Sequence, residues 1–111
     1  MSSKMVVIVS QAEENAVWTG LFSAIKCSRN AFMDDIRLVL WGPSEKTIAE
    51  NPELQKMVTE YLSLGKPVWA CKTCADRYQV TEAMESLGCT VDYMGKIVTG
   101  WLKDGFVPMN W

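Results

Sequence analysis

The 111-residue chain contains no histidine, and this absence removes a large set of candidate active sites. Nucleophilic triads and dyads that use histidine, zinc or iron sites with histidine ligands, and histidine general bases are all excluded. Any chemistry must use thiols, carboxylates, amines or the backbone.

Basic clusters and long apolar runs are also missing. The chain has 11 basic and 13 acidic residues, a net charge of −2, so it lacks the convergent cations of a nucleic-acid surface. An apolar run such as residues 5–9 is far shorter than the roughly 20 residues that span a bilayer. No signal peptide pattern is visible. We expect a cytoplasmic protein without membrane or nucleic-acid partners, whose thiols stay reduced.

Apolar runs alternate with helical patterns, which indicates an α/β fold. The predicted strands are residues 5–9, 36–41, 67–70, 90–94 and 106–109, and the predicted helices are 15–30, a short one after 44, 52–65, 72–87 and 97–103. Strands linked by crossover helices form a mainly parallel sheet covered on both faces. The chain is therefore predicted to be a single three-layer α/β/α domain over residues 1–111, with about five strands.

Two of the loops that follow strands show little specific chemistry. The loop after the first strand has no glycine, so it cannot bring backbone amides close to a phosphate. Its Ser10 and Asn15 are interpreted as turn and helix-cap residues. The Gly42-Pro43-Ser44 turn fits an anion-binding helix N-terminus and an ordinary tight turn equally well.

The loop after the third strand is different, because it carries the motif Cys71-x-x-Cys74. Its position predicts Cys71 at a strand end and at the first turn of a helix, where unpaired N–H groups favour a thiolate. Lys72 and Arg77 follow closely and are candidate binding residues that add positive potential. We interpret Cys71 and Cys74 as candidate catalytic residues; the plainer alternative is a pair of small buried hydrophobes.

Three chemistries fit a strand-end dithiol: a thioredoxin-like redox pair, a metal or iron–sulfur site, and a persulfide-carrying nucleophile. The thioredoxin fold places a proline strand opposite its dithiol, whereas Pro108 here lies 34 residues after Cys74 with three residues beyond it. Strong cysteine metal sites usually come as two close pairs, but Cys27 and Cys89 stand singly. We therefore predict no metal and no cofactor, and interpret Cys27 and Cys89 as structural.

Three segments of the chain resemble one known family. They are residues 40–44 (Leu-Trp-Gly-Pro-Ser), residues 68–77 around the two cysteines, and the 93–95 turn (Tyr-Met-Gly). Together with the order of elements over nearly the whole chain, they resemble the DsrE/DsrF-like family of small sulfur-relay proteins. The most specific part is an apolar strand that runs into a cysteine and then into a helix with a basic residue about two turns in.

The resemblance implies a cysteine-based sulfur carrier or sulfurtransferase. In that family the strand-end cysteine carries a persulfide, which corresponds to Cys71, and many relatives have a second cysteine at the place of Cys74. The resemblance also implies a homo-oligomer, trimeric or hexameric, with separate sulfur donor and acceptor proteins. The alternative is a non-catalytic small-ligand-binding or regulatory module on the same fold.

The tryptophans divide by position. Trp18, Trp41 and Trp69 fall on stretches predicted to face the core. Trp101 and Trp111 lie in the less regular C-terminal part, where aromatic residues suit a contact between subunits.

Overall fold

The computed structural model describes residues 2–111, in which strands alternate with helices. The elements in chain order are β1 (Lys4–Val9), α1 (Glu14–Arg29), β2 (Asp35–Leu40), α2 (Ser44–Ala49), α3 (Pro52–Leu62), β3 (Val68–Cys71), α4 (Lys72–Arg77), α5 (Thr81–Leu87), β4 (Thr90–Asp92), α6 (Met94–Lys103) and β5 (Val107–Asn110).

The strands form one sheet in the order β4-β3-β2-β1-β5, and every neighbouring pair is parallel. The central strand β2 and its neighbours are rich in apolar residues because helices cover the sheet on both faces. This arrangement confirms the predicted three-layer α/β/α fold. None of the helices within residues 2–111 is long and apolar enough to cross a membrane.

The two faces of the sheet are covered unequally. On one face, α1, α2, α3 and α5 bury a large apolar cluster that includes Leu21, Ile48, Val58 and Met84. On the other face a smaller cluster joins Val6, Val39, Cys71 and Phe106 to Met94 and Val98 of α6. The first cysteine of the motif therefore belongs to the thinner side of the molecule.

Several boundaries differ from the sequence-based prediction. The single helix predicted between the motif and Leu87 is wrong: α4 ends at Arg77, and α5 begins at Thr81. Gln79 between them has a left-handed φ of 59°, and the Val80 N–H donates to the Ala75 carbonyl across the break. The break between α4 and α5 contains no glycine or proline, so the sequence pattern did not predict it.

The start of α1 also differs from the prediction. The Glu13 carboxylate, rather than Ser10 or Asn15, caps the helix by accepting a hydrogen bond from the Ala16 N–H at 2.8 Å. Glutamate is not a common cap residue, so the pattern favoured the shorter polar side chains.

The tryptophans follow the prediction only in part. The core position of Trp18 is wrong, since its side chain is 40% exposed and stacks on Phe22 at 5.0 Å between ring centroids. Trp41 and Trp69 are half-buried against the α6-side cluster. Trp111 packs within its own chain, with its Cβ 3.0 Å from the position that a Cβ on Gly20 would occupy.

Candidate functional site

Cys71 is the last residue of β3 and the residue that immediately precedes α4. Its backbone is extended (φ −68°, ψ 122°), and its side chain is only 4% exposed. The thiol packs in the α6-side cluster, where Met94 at the start of α6 is fully buried. The predicted position of Cys71 at the end of a strand is therefore confirmed. Its side chain belongs to the apolar cluster that includes Met94 of α6.

The expected support from helix N–H groups is smaller than predicted. The helix α4 has only six residues, and the Cys71 side chain accepts no capping hydrogen bond from it. A thiolate or persulfide at Cys71 therefore depends on more than the end of α4 for its stability.

Cys74 lies in the first turn of α4 and is half-buried beside Cys71. Burial raises the pKa of the Cys74 thiol to about 11, and the neighbouring Cys71 and the charge of Glu45 add to the rise, while the Gly42 backbone acts in the opposite direction. All four cysteines are free thiols. Cys74 is therefore a protonated thiol at neutral pH, next to the buried Cys71.

Each of the two predicted binding cations has a neighbour on or beside α4. Lys72 Nζ forms an ion pair with Asp76 at 3.0 Å, one helical turn along α4, which raises the pKa of Lys72. The hydrogen bond from Thr81, and after it the contact with Lys72, lowers the pKa of Asp76. Arg77 is exposed at the end of α4, with its guanidinium 5.8 Å from the centre of the Tyr78 ring. The partners that the structure shows for the two cations are thus Asp76 and the Tyr78 ring.

The other two cysteines stand apart from the motif. Cys27 is half-buried in α1, and Cys89 is buried just before β4 in the larger apolar cluster. Burial raises the pKa of the Cys89 thiol to about 12. Among the residues that the structure describes, no three cysteine or acidic side chains are grouped so that they would hold a metal ion.

Sequence reasoning missed Glu45, in the first turn of α2. Its side chain is completely buried, both carboxyl oxygens lack a hydrogen-bond partner, and burial raises its pKa to about 8. Its charge acts on the thiols of both Cys74 and Cys89, which places it close to the motif. An acidic residue in the first turn of a helix is common on protein surfaces, so nothing in the sequence marked this one as buried.

The turn that precedes Glu45 fixes its position. Gly42 adopts a left-handed φ of 63°, and the buried Ser44 Oγ lies 2.7 Å from the Val9 carbonyl oxygen and 2.8 Å from that of Trp41. These contacts tie the start of α2 to the carboxyl ends of β1 and β2. The Gly-Pro-Ser turn thus places the Glu45 carboxyl group at the carboxyl ends of the strands, where β3 ends at the dithiol motif. In parallel sheets, ligand-binding and catalytic groups lie at this end of the strands.

Comparisons with solved structures identify two similar proteins. BT1422 from Bacteroides thetaiotaomicron, a conserved protein of unknown function, superposes with a TM-score of 0.89 and 26% identity over 98% of this chain and 95% of its own. The ychN protein from E. coli gives a TM-score of 0.71 and 20% identity over 97% of this chain and 99% of its own.

These similarities define the fold: the chain shares its three-layer α/β/α arrangement with both proteins. No family model matches the chain, and no curated protein matches it in sequence.

Proposed function

We propose that this protein is a sulfur carrier or sulfurtransferase that takes up sulfane sulfur as a persulfide on Cys71 and passes it to an acceptor thiol. The observation that supports this most is the position of Cys71 at the carboxyl end of an inner parallel strand, with Cys74 beside it. The DsrE-like fold fits a sulfur-relay protein. Separate donor and acceptor proteins, a cytoplasmic location and homo-oligomeric assembly belong to the same proposal.

The transfer balances without an external oxidant. The Cys71 thiolate attacks the outer sulfur of a donor persulfide, the donor leaves as a thiolate, and Cys71 becomes Cys-S-S⁻. An acceptor thiolate then attacks the outer sulfur of this persulfide and restores the Cys71 thiolate. In this proposal Lys72 and Arg77 screen the negative charge of incoming groups from the surface of α4.

The experiment is the intact mass of the reduced protein after exposure to a small persulfide donor. Wild type and Cys74→Ser should each gain one sulfur that a reductant removes, whereas Cys71→Ser should gain none. Cys89→Ser is the matched control, because it removes a buried thiol outside the motif. Loading that requires Cys74 would contradict the assignment to Cys71.

The second candidate is a non-catalytic ligand-binding or regulatory module. It is favoured by the burial of Cys71, of which only 4% is exposed to an incoming donor. Alkylation of Cys71 separates the two functions: a carrier thiol should react near pH 6 faster than a free thiol, and a module thiol should not. A wild-type chain that takes up no sulfur while its thiols are reduced would favour the module.

A further inference from the structure

Glu45 is buried without the partners that usually accompany a buried carboxyl group. Its side chain is 0% exposed, and neither Oε1 nor Oε2 has a hydrogen-bond partner. Among residues 2–111 no ion pair includes it. Leaving a buried polar group unsatisfied costs roughly 1–3 kcal/mol, so such a group calls for an explanation.

The surroundings of Glu45 contain thiols and no balancing cation. The helix α2 packs on α1, α3, α4 and α5. Burial is the main cause of the raised pKa of the Cys74 and Cys89 thiols, and the Glu45 charge is close enough to add to both rises. The cation at the end of α1, Arg29, is exposed and paired with Glu60 of α3 at 2.8 Å.

We propose that Glu45 is the proton acceptor for the Cys74 thiol when Cys74 resolves a persulfide on Cys71. This inference rests on the proposed function and adds to it a second step, the release of sulfur as sulfide. It gives a chemical role both to the second cysteine of the motif and to the unpartnered carboxyl group.

The step balances in atoms and electrons. Cys74 passes its proton to the Glu45 carboxylate, and the resulting thiolate attacks the Cys71 sulfur of Cys71-S-SH. A Cys71–Cys74 disulfide forms, the bond to the outer sulfur breaks, and hydrosulfide leaves and receives the proton from Glu45. The Cys74 sulfur is oxidised and the outer sulfur is reduced to sulfide, while the Cys71 sulfur keeps its oxidation state, so a single turnover needs no other reagent.

The acid–base properties of the groups fit this exchange. A general base works best when its pKa lies near the working pH, and the pKa of Glu45 is raised to about 8. The Cys74 thiol, with a pKa of about 11, is almost fully protonated at neutral pH and needs such a base. The proton of the Cys74 thiol can reach the Glu45 carboxylate through a direct contact or across one water molecule.

The test is single-turnover release of hydrosulfide from the protein loaded with one sulfur and separated from the donor, followed from pH 6 to pH 9.5. Wild type should release one equivalent and end as the disulfide, with a rate that rises through a midpoint near pH 8. Glu45→Gln should load equally but release about a hundredfold more slowly, and the step near pH 8 should vanish. Glu50→Gln, an exposed glutamate just after α2, is the matched control and should behave as wild type.

Different outcomes overturn different claims. Release from Glu45→Gln at the wild-type rate and with the wild-type pH profile would overturn the role of Glu45. A loaded wild type that releases nothing, or a loaded Cys74→Ser that releases normally, would overturn the resolving step and leave the carrier function standing. Failure of the wild type to load would contradict the proposed function itself.

Two further measurements apply if Glu45→Gln does not fold. Glu45→Met places an unbranched apolar side chain in the same buried site, and it should show the same slow release. The wild-type pH profile tests the proposal without any variant, since a rate that rises without a step near pH 8 would overturn it.

Discussion

Glu45 makes the stability of the protein depend on pH. Its pKa is raised from 4.5 to about 8 by burial, so the folded state binds a proton that the unfolded state releases. Stability from this group is therefore complete below about pH 4.5 and is lost as the pH rises toward 8. The loss is on the order of 5 kcal/mol at most, since one pKa unit corresponds to about 1.4 kcal/mol.

Urea denaturation at pH 5.5, 7 and 8.5 measures this effect. Wild type should lose stability across the series, and Glu45→Gln should lose clearly less, because an amide does not ionise. Equal slopes for the two proteins would mean that the carboxyl group is solvated in the folded state.

The Cys74 thiol should react slowly with alkylating reagents although it is partly exposed. A pKa of about 11 in place of 9 leaves about a hundredfold less thiolate than an ordinary thiol has at pH 7. Alkylation with iodoacetamide, resolved by peptide mass, should therefore be slower at Cys74 than in a small thiol. At about pH 9, where Glu45 is ionised, it should be faster in Glu45→Gln than in wild type, because a nearby negative charge is gone. A Cys74 that reacts like the small thiol would contradict the raised pKa.

The sequence predicted the position of Cys71 but not its surroundings. A β-branched apolar strand followed by Cys-x-x-Cys is enough to place the thiols at a strand end. The burial of Glu45 depends on α4 and α5 packing over α2, which local spacing does not encode. The pairing of Lys72 with Asp76 does follow an i, i+4 spacing on a helix, so the sequence contained the signal for it.

At the scale of elements, the contact of α1 with the sheet depends on Gly20. A Cβ at this position would lie 2.8 Å from Val9 Cγ2 and 3.0 Å from Trp111 Cβ. Gly20→Ala should destabilise the protein by roughly 1–3 kcal/mol, because packed neighbours must move.

Gly100 is the matched control for Gly20. It lies within α6, and a Cβ there would meet nothing within 4 Å. Gly100→Ala should stabilise the protein by roughly 0.5–1 kcal/mol through helix propensity alone. Thermal unfolding measures the stability change of both variants. A Gly20→Ala protein as stable as wild type would show that α1 can move away from the sheet without cost.

The sequence predicted which elements form better than where they end. Residues 5–9 and 36–40 are strands in the structure because continuous apolar runs suit buried parallel strands. The break at Gln79 and the earlier start of α6 at Met94 depend on tertiary contacts, since Phe106 and Val98 fix α6 against the sheet. Periodicity alone does not report those contacts.

At the scale of the whole molecule, the proposed homo-oligomer needs an exposed contact surface, and we propose that β5 takes part in it. β5 is an edge strand with every residue exposed, and its Val107 is 59% exposed. Light scattering at micromolar concentration should give a mass several times that of one chain. A monomeric mass would contradict the proposed oligomer.

Val107→Lys tests whether the edge strand β5 forms part of the contact between subunits. A buried lysine in an interface is costly, so the variant should form smaller assemblies than wild type. Phe32→Lys is the control, because Phe32 is 62% exposed in the turn before β2. Equal masses for wild type and Val107→Lys would place the contact elsewhere on the surface.

The pairing of β5 with β1 has a consequence for synthesis on the ribosome. Val7 pairs with Met109, and the Ser10 N–H donates to the Trp111 carbonyl, so the outer edge of β1 is completed by residues about a hundred positions later. Until those residues emerge, β1 presents an unpaired apolar edge, which is the kind of surface that attracts other nascent chains and chaperones. The strand that closes this edge of the sheet is thus translated about a hundred residues after the strand it pairs with.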